Sequence, residues 1–442
     1  MDRYKRPDDG RHNRDENRAI LKKVNRISKG RKKAGIDGVK IIVIMVSLMA
    51  VIAAFLIFIG NMDFPQPGGR TQENGYEGEI PQPSIVPFDP PEEDLTPFIP
   101  PDISEDMLFY PDEGGRLELP VIGATGWVAS ASALRDASGG AGAQIRVLPA
   151  GQAFTILAES GDWWQVRLPD GETVGWVDHR RCWINLPDVL PSIIYNISNA
   201  DRSLFRSSGF MLDGITDMRL YSAKAFNERL GREEFIVPGM YPMARALHTV
   251  QQIALGRGDT LVIYEVYRPR STQQSVVDAM NVLMRNNIMA NTAISDSPWT
   301  LSWFISTGVS NHQRAAAVDT SLARVHDTEI LQAGDYSYLR ITNYTLIDTG
   351  TRMHELSPAS AIVNRPIGIT ASQILGGNLD LTGAAVTTGI VRMQFYFASA
   401  GFNPLASEWW HFDHHPSITM ATAANINGDF YTPTVYSEPP IR

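Results

Sequence analysis

Residues 41–60, from Ile41-Ile42-Val43-Ile44 to Ile57-Phe58-Ile59-Gly60, contain no charged side chain. A helix rises about 1.5 Å per residue, so a run of this length spans a hydrocarbon core of about 30 Å. A buried helix of a globular core would show a polar face, and this run has none. A signal peptide has a shorter apolar region, about 7–15 residues, followed by small residues at the cleavage point. Ile57-Phe58-Ile59-Gly60-Asn61-Met62 lacks that pattern. The run therefore predicts a single uncleaved transmembrane helix, and it divides the chain in two.

Charge orients the division. Residues 1–40 hold fourteen Lys or Arg against six Asp or Glu, a balance of +8, so the other 402 residues carry −17 of the chain's net −9. Lys22, Lys23, Arg26, Lys29, Arg31, Lys32, Lys33 and Lys40 precede the apolar run, whereas residues 61–80 hold only Arg70. Positive flanks stay in the cytoplasm, which predicts a cytoplasmic basic tail (1–40) and everything after residue 60 outside. The tail's charge serves topology. No phosphate-cradling glycine loop and no aromatic–basic interleaving occurs, so no nucleic-acid partner is expected. The one cysteine, Cys182, permits no internal disulfide and has no nucleophile signature around it, so it is read as a packing residue.

Residues 61–118 contain eleven prolines among many carboxylates and keep neither a helical nor a strand period. They read as an extended acidic linker. Residues 119–186 read as a small all-β unit. Phe154–Leu157 is a strand, Trp164–Leu168 alternates apolar and polar, Asp170-Gly171 is a hairpin turn, and Val174–Val177 returns. Gly126-Trp127-Val128, Leu148-Pro149-Ala150-Gly151-Gln152, Gly161-Asp162-Trp163-Trp164-Gln165-Val166 and Gly175-Trp176-Val177 together resemble a bacterial SH3-like domain. Domains of that kind bind cell-wall peptide or space another domain, and Trp163 reads either as a ligand platform or as a packing residue of the barrel.

Residues 187–442 mix helices and strands without βα alternation, the pattern of an α+β domain. Apolar spacing predicts helices over 241–256, 275–289 and 391–400, and a buried strand over 260–266. Two segments carry the chemistry. One runs from Ser310-Asn311-His312 to Val318-Asp319, and the other is Glu408-Trp409-Trp410-His411-Phe412. Two imidazoles and a carboxylate form a three-donor set for Zn²⁺ that leaves a fourth position for water. A further carboxylate can take that water's proton, and Glu408, three residues before His411, stands where this role needs it. His248, His414 and His415 read as packing or surface residues, and Asp413 as a possible orienting partner of a ligand imidazole.

The two segments resemble the zinc peptidase family of D-alanyl-D-alanine carboxypeptidases and dipeptidases. That family carries Ser-x-His, six residues, Asp, and later Glu-x-Trp-His. Its upstream Tyr-Arg-Pro segment stands here as Tyr267-Arg268-Pro269, with Gln273 beyond it, and the similarity spans roughly 190–415. The resemblance implies that His312, Asp319 and His411 bind zinc and that Glu408 is the general base. It also implies that Arg268 stabilises the oxyanion and that Ser310 and Gln273 support the substrate side. The expected architecture is an α+β zinc peptidase domain preceded by an SH3-like barrel and one transmembrane helix. The expected activity is removal of terminal D-alanine from peptidoglycan stem peptides outside the bacterial cell membrane. A D-alanyl-D-alanine dipeptidase and a non-catalytic wall-binding protein are the alternatives.

Two positions depart from the pattern. Ala315 stands where the family has glycine three residues after the first histidine, which is costly if that backbone turns through positive φ. Asp348–His354 resembles a dipeptidase segment that ends in an aspartate holding the dipeptide's free amine, and here His354 takes that place.

Overall fold

The computed structural model describes residues 110–112, 115–295, 298–432 and 434–442. The predicted transmembrane segment 41–60, the basic tail 1–40 and nearly all of the linker 61–118 lie outside them. No helix among the described residues is long and apolar enough to cross a membrane.

The small barrel is built from Thr125–Val128 (β1), Ser132–Arg135 (β2), Gln144–Leu148 (β3), Ala153–Ser160 (β4), Trp163–Arg167 (β5), Val174–Asp178 (β6) and Cys182–Asn185 (β7). The β5–β6 turn holds Gly171 at φ +76°, which an Asp-Gly hairpin turn requires. Cys182 is fully buried at the end of the barrel sheet, and burial raises its thiol pKa well above normal. It is a packing residue.

The barrel sheet continues past its own segment. After the short strand Ile194–Tyr195 (β8), the strand Pro238–Met240 (β9) returns and pairs antiparallel with β7, with Met240 opposite Trp183 and Gly239 opposite Ile184. A Cβ on Gly239 would lie 2.8 Å from the Leu186 side chain, so this pairing needs glycine's bare backbone. One apolar core runs without a break from Trp127 and Phe154 of the barrel through Trp183 and Met240 to Val262 and Phe412.

The second sheet carries the site. Its strands are β8, Asp259–Glu265 (β10), Ala317–Ala333 (β11), Tyr336–Leu346 (β12), Asn403–Leu405 (β13) and Glu408–Asp413 (β14). The order is β8-β10-β11-β14-β13, with β12 on the free stretch of β11 and only β8–β10 parallel. Every residue of β10 is buried, as its apolar run requires. Helix Tyr241–Leu255 (α1) packs against this strand. Helix Arg270–Asn286 (α2) starts five residues before the spacing suggests and is followed by Ile288–Ser295 (α3). Pro269 supplies the early start, because its fixed φ suits the position before a helix. Helix Thr388–Ser399 (α4) ends before Gly401 at φ +83°, the expected C-terminal glycine.

The C-terminal residues strap the two sheets together. Phe430 stacks on Trp183 with ring centroids 5.1 Å apart. The Gly428 carbonyl accepts from the Arg270 backbone N–H at 3.0 Å and from the Tyr267 hydroxyl at 3.1 Å. Further on, the Tyr436 N–H donates to Thr125 and the Glu438 N–H to the Gly123 carbonyl.

Candidate metal centre and active site

Strand register puts three acidic and imidazole side chains in one row. On β11, Asp319 lies opposite Glu265 of β10 on one side and opposite His411 of β14 on the other. Residues directly opposite in adjacent strands share a face of the sheet. His312 joins them from the turn before β11, which is held by bonds from the Ala315 N–H to the His312 carbonyl and from the Ala316 N–H to the Asn311 carbonyl. The His312 carbonyl also accepts from the Arg268 N–H at 3.2 Å, so the two motif loops fix each other.

His312 Nε2, His411 Nδ1 and Asp319 Oδ1 form a near-equilateral triangle. Its edges are 3.1 Å between the imidazoles and 3.2 Å and 3.0 Å from each to the carboxylate. A tetrahedral zinc held at about 2.0–2.1 Å sets donor–donor edges of about 3.3 Å, so this set fits the ion. The far nitrogens are committed elsewhere. His312 Nδ1 donates to the Val266 carbonyl at 3.0 Å, and His411 Nε2 donates to Asp413 Oδ1 at 3.2 Å. Each ring therefore turns the other nitrogen toward the shared point, the arrangement that holds a ligand imidazole's tautomer. Asp413, whose direction the sequence left open, is the orienting partner of His411 and is itself held by Asn311.

Electrostatics are consistent with a cation site. Burial alone would raise the Asp319 carboxyl, but the three surrounding histidines outweigh it and hold it well below the usual range. Burial would lower His411, yet Asp413 and Asp319 hold its imidazolium well above normal in the metal-free protein. Metal binding there must release a proton.

Glu408 is 7 % exposed, with its Oε2 3.9 Å from His411 Nδ1. Burial pushes its carboxyl up to about 8, against the pull of His411. It lines the same cleft as His312, Asp319 and His411, but it is outside the donor triangle. Arg268 lines the cleft too. Its Nε donates to Glu265 at 2.7 Å, Nη2 donates to Glu265 as well, Nη1 donates to Gln273 at 2.7 Å, and Nη2 reaches Asp319 at 3.4 Å. The guanidinium lies over the Phe205 ring, 4.8 Å from its centroid. Arg268 thus makes a buried salt bridge and also lines the cleft. Gln273 is away from the cleft lining, between Arg268 and the Ser306 carbonyl, so it positions the arginine. Ser310 lines the cleft, and its hydroxyl accepts the His312 N–H at 3.2 Å.

Two site residues, Glu265 and Phe205, were not singled out in the sequence, and a third, His354, was placed at the dipeptide-amine position and not beside Asp319. Glu265 is one of two buried carboxylates in β10, the other being Asp259, and it stands three residues before Arg268, a legible signal for a salt bridge. Phe205 lies in a stretch without any motif. His354 is fully buried against Asp319. Glu265, Asp319 and His354 also lie close enough to hold a metal, but the Arg268 guanidinium donates to two of the three and supplies the positive charge there. His414, by contrast, turns to Ser417 and packs on Phe402 outside the cleft lining, and burial lowers its pKa to about 4.

Ala315 has φ +53° and is fully buried. The turn does require the left-handed region, and a Cβ there costs about 1–2 kcal/mol. Part of this is offset because glycine loses more chain entropy on folding. Ala315→Gly is expected to raise stability by about 1 kcal/mol. Thermal unfolding of the two proteins measures it, and an unchanged or lower midpoint would show that the alanine methyl compensates by packing.

Residues 130–181 match the family model of the bacterial SH3 domain, the segment that contains β2 to β6. No curated protein matches the chain. The small barrel at residues 130–181 is thus similar to bacterial SH3 domains.

Proposed function

We propose that the α+β part of the chain is a zinc-dependent peptidase that removes the terminal D-alanine from peptidoglycan stem peptides ending in D-Ala-D-Ala. The observation that carries the reading is the His312–Asp319–His411 triangle, flanked on one cleft by a separate carboxylate, Glu408, and a guanidinium, Arg268. A binding protein needs neither a base nor an oxyanion partner beside a metal site. When bound, zinc would polarise the scissile carbonyl and acidify the attacking water.

The chain's own residues do the rest. Glu408 takes the proton of the attacking water as its oxygen bonds to the carbonyl carbon. The carbonyl oxygen gains negative charge, and Arg268, already aligned by Glu265 and Gln273, is the cation that meets it. As the carbon–nitrogen bond breaks, Glu408 hands its proton to the leaving amine. The amino group of the released D-alanine thereby leaves neutral.

His354 supports a peptide stem over the free dipeptide. Where the dipeptidase pattern has an amine-binding aspartate, this ring is turned inward to Asp319 and offers no negative charge to an amine. The apolar span and basic tail support anchoring in a bacterial membrane with the catalytic part outside, where stems are the available substrate.

The test is zinc content and D-alanine release by the purified full-length chain in detergent, given a stem pentapeptide ending in D-Ala-D-Ala and free D-Ala-D-Ala. Zinc together with release from the pentapeptide supports the carboxypeptidase. Preference for the dipeptide selects the dipeptidase. Zinc without cleavage of either excludes both, and absence of zinc moves the reading to a wall-binding protein.

A further inference from the structure

We propose that His354 is a positioning residue for the metal site, resting on the zinc reading above: it holds Asp319 so that one oxygen faces the ion and the other is kept away. His354 is 0 % exposed. Its Nε2 lies 3.1 Å from Asp319 Oδ2, and a carboxylate can only accept, so this nitrogen carries the proton. The Arg268 guanidinium donates to the same oxygen at 3.4 Å. Two donors thus engage Oδ2, while Oδ1 is the oxygen that faces His312 Nε2 and His411 Nδ1 at 3.2 Å and 3.0 Å. The carboxylate is divided into a metal-facing edge and a protein-facing edge.

The residue is fixed from three directions, two of them at the ring. It stacks on Phe205 with centroids 4.4 Å apart and planes 18° apart. Trp410 meets it edge-on at 5.9 Å. Its backbone carbonyl accepts the Arg206 N–H at 3.0 Å. Residue 354 also sits at φ +60°, a conformation that costs a side-chain-bearing residue free energy. A strained backbone, two aromatic contacts and a backbone bond all converge on a ring with one polar partner among the described residues, the Asp319 carboxylate. Partners that orient a metal ligand typically change metal affinity by about 10–100-fold when removed.

The experiment compares the full-length chain with His354→Phe, which keeps a stacking ring but no donor, and His354→Gln, which restores an N–H of similar reach. Zinc affinity is measured by competition with a chromophoric chelator, and the visible spectrum of the Co²⁺-substituted protein reports ligand geometry. His354→Phe is expected to bind zinc about 10–100-fold more weakly and to shift the Co²⁺ bands, with His354→Gln within a few-fold of wild type. Wild-type affinity and spectrum in His354→Phe, or equal loss in a folded His354→Gln, overturn the role. Should His354→Phe not fold, long-range ¹H–¹⁵N spectra of the wild type decide, with the resonance assigned from its loss in His354→Gln. A proton on Nε2 is expected, and a bare Nε2 overturns the proposal. If the wild type itself binds no zinc, the metal reading falls; if it binds zinc and the variants do too, only the role of His354 falls.

Discussion

Glu408→Gln is expected to lower the rate of D-alanine release by about three orders of magnitude while zinc stays bound. A positioned general base typically contributes about 10²–10⁴-fold, and glutamine cannot take a proton from water. The metal is retained because Glu408 lies outside the donor triangle. The same change should stabilise the metal-free fold. Burial pushes the Glu408 carboxyl up to about 8 from the ordinary 4.5, so the folded state holds its proton more tightly than the unfolded chain. Its contribution to stability is fully present below about pH 4.5 and is lost as pH rises through about 8. Glutamine titrates at neither pH, so the stability of Glu408→Gln should match wild type near pH 4 and exceed it at pH 8, by a few kcal/mol at most. Kinetics and zinc analysis check the first part, and melting curves of chelator-treated protein check the second. A variant that still releases D-alanine at the wild-type rate would remove Glu408 from the mechanism.

Residues 187–442 alone are expected neither to fold nor to bind zinc, whereas 89–442 should melt in one cooperative transition. The described residues all fall within one unit, Asp89–Arg442. Cutting at 186 takes away β7, the partner of β9, and with it the buried Trp183. That residue stacks between Tyr267 and Phe430, and its indole N–H donates to the Arg314 carbonyl at 3.1 Å, two residues past His312. Losing one buried tryptophan side chain costs about 3–5 kcal/mol, against a typical whole-domain stability of about 5–15 kcal/mol. The cut also strips Asp188 of the Thr125 N–H and the Asn185 amide, two of the donors around a fully buried carboxylate. Further, Tyr241 loses its contacts with Trp164 and His179 at the start of α1. Calorimetry and zinc content of both fragments measure the difference. A shorter fragment that melts cooperatively and holds zinc would show that the barrel is a separable spacer.

The donor set of the site was legible because it is local. His312 and Asp319 are held by one turn and one strand, and His411 and Glu408 by another, so short motifs carry four of the chemical groups. Ala315 was legible as a question, since glycine's absence from a turn has only two readings, and φ decides between them. Glu265 carried a local signal through Arg268, three residues on, whereas the contact of His354 with Asp319 was not placed, because it joins segments 35 residues apart in sequence. Gln273 was visible, but whether it faced substrate or Arg268 depended on where α2 begins. The direction of Asp413 was open for the same reason: a side chain's orientation at a strand end depends on what stands opposite.

The sequence by itself determined the local periods and the chemistry of the donors. The buried run of β10, the hairpin at Asp170-Gly171 and the spacing of the histidine motifs all follow from residue type and interval, which need no partner to be read. The uncharged run at 41–60 belongs here too, as an expectation about residues outside those described. Only the tertiary structure decided that the barrel and the α+β part share one sheet and one core. Likewise, only the structure placed the C-terminal strap over Trp183, and a buried histidine behind Asp319. Those are contacts between distant segments, set by strand register and by the shape left for each side chain when the core closes, and no local pattern encodes them.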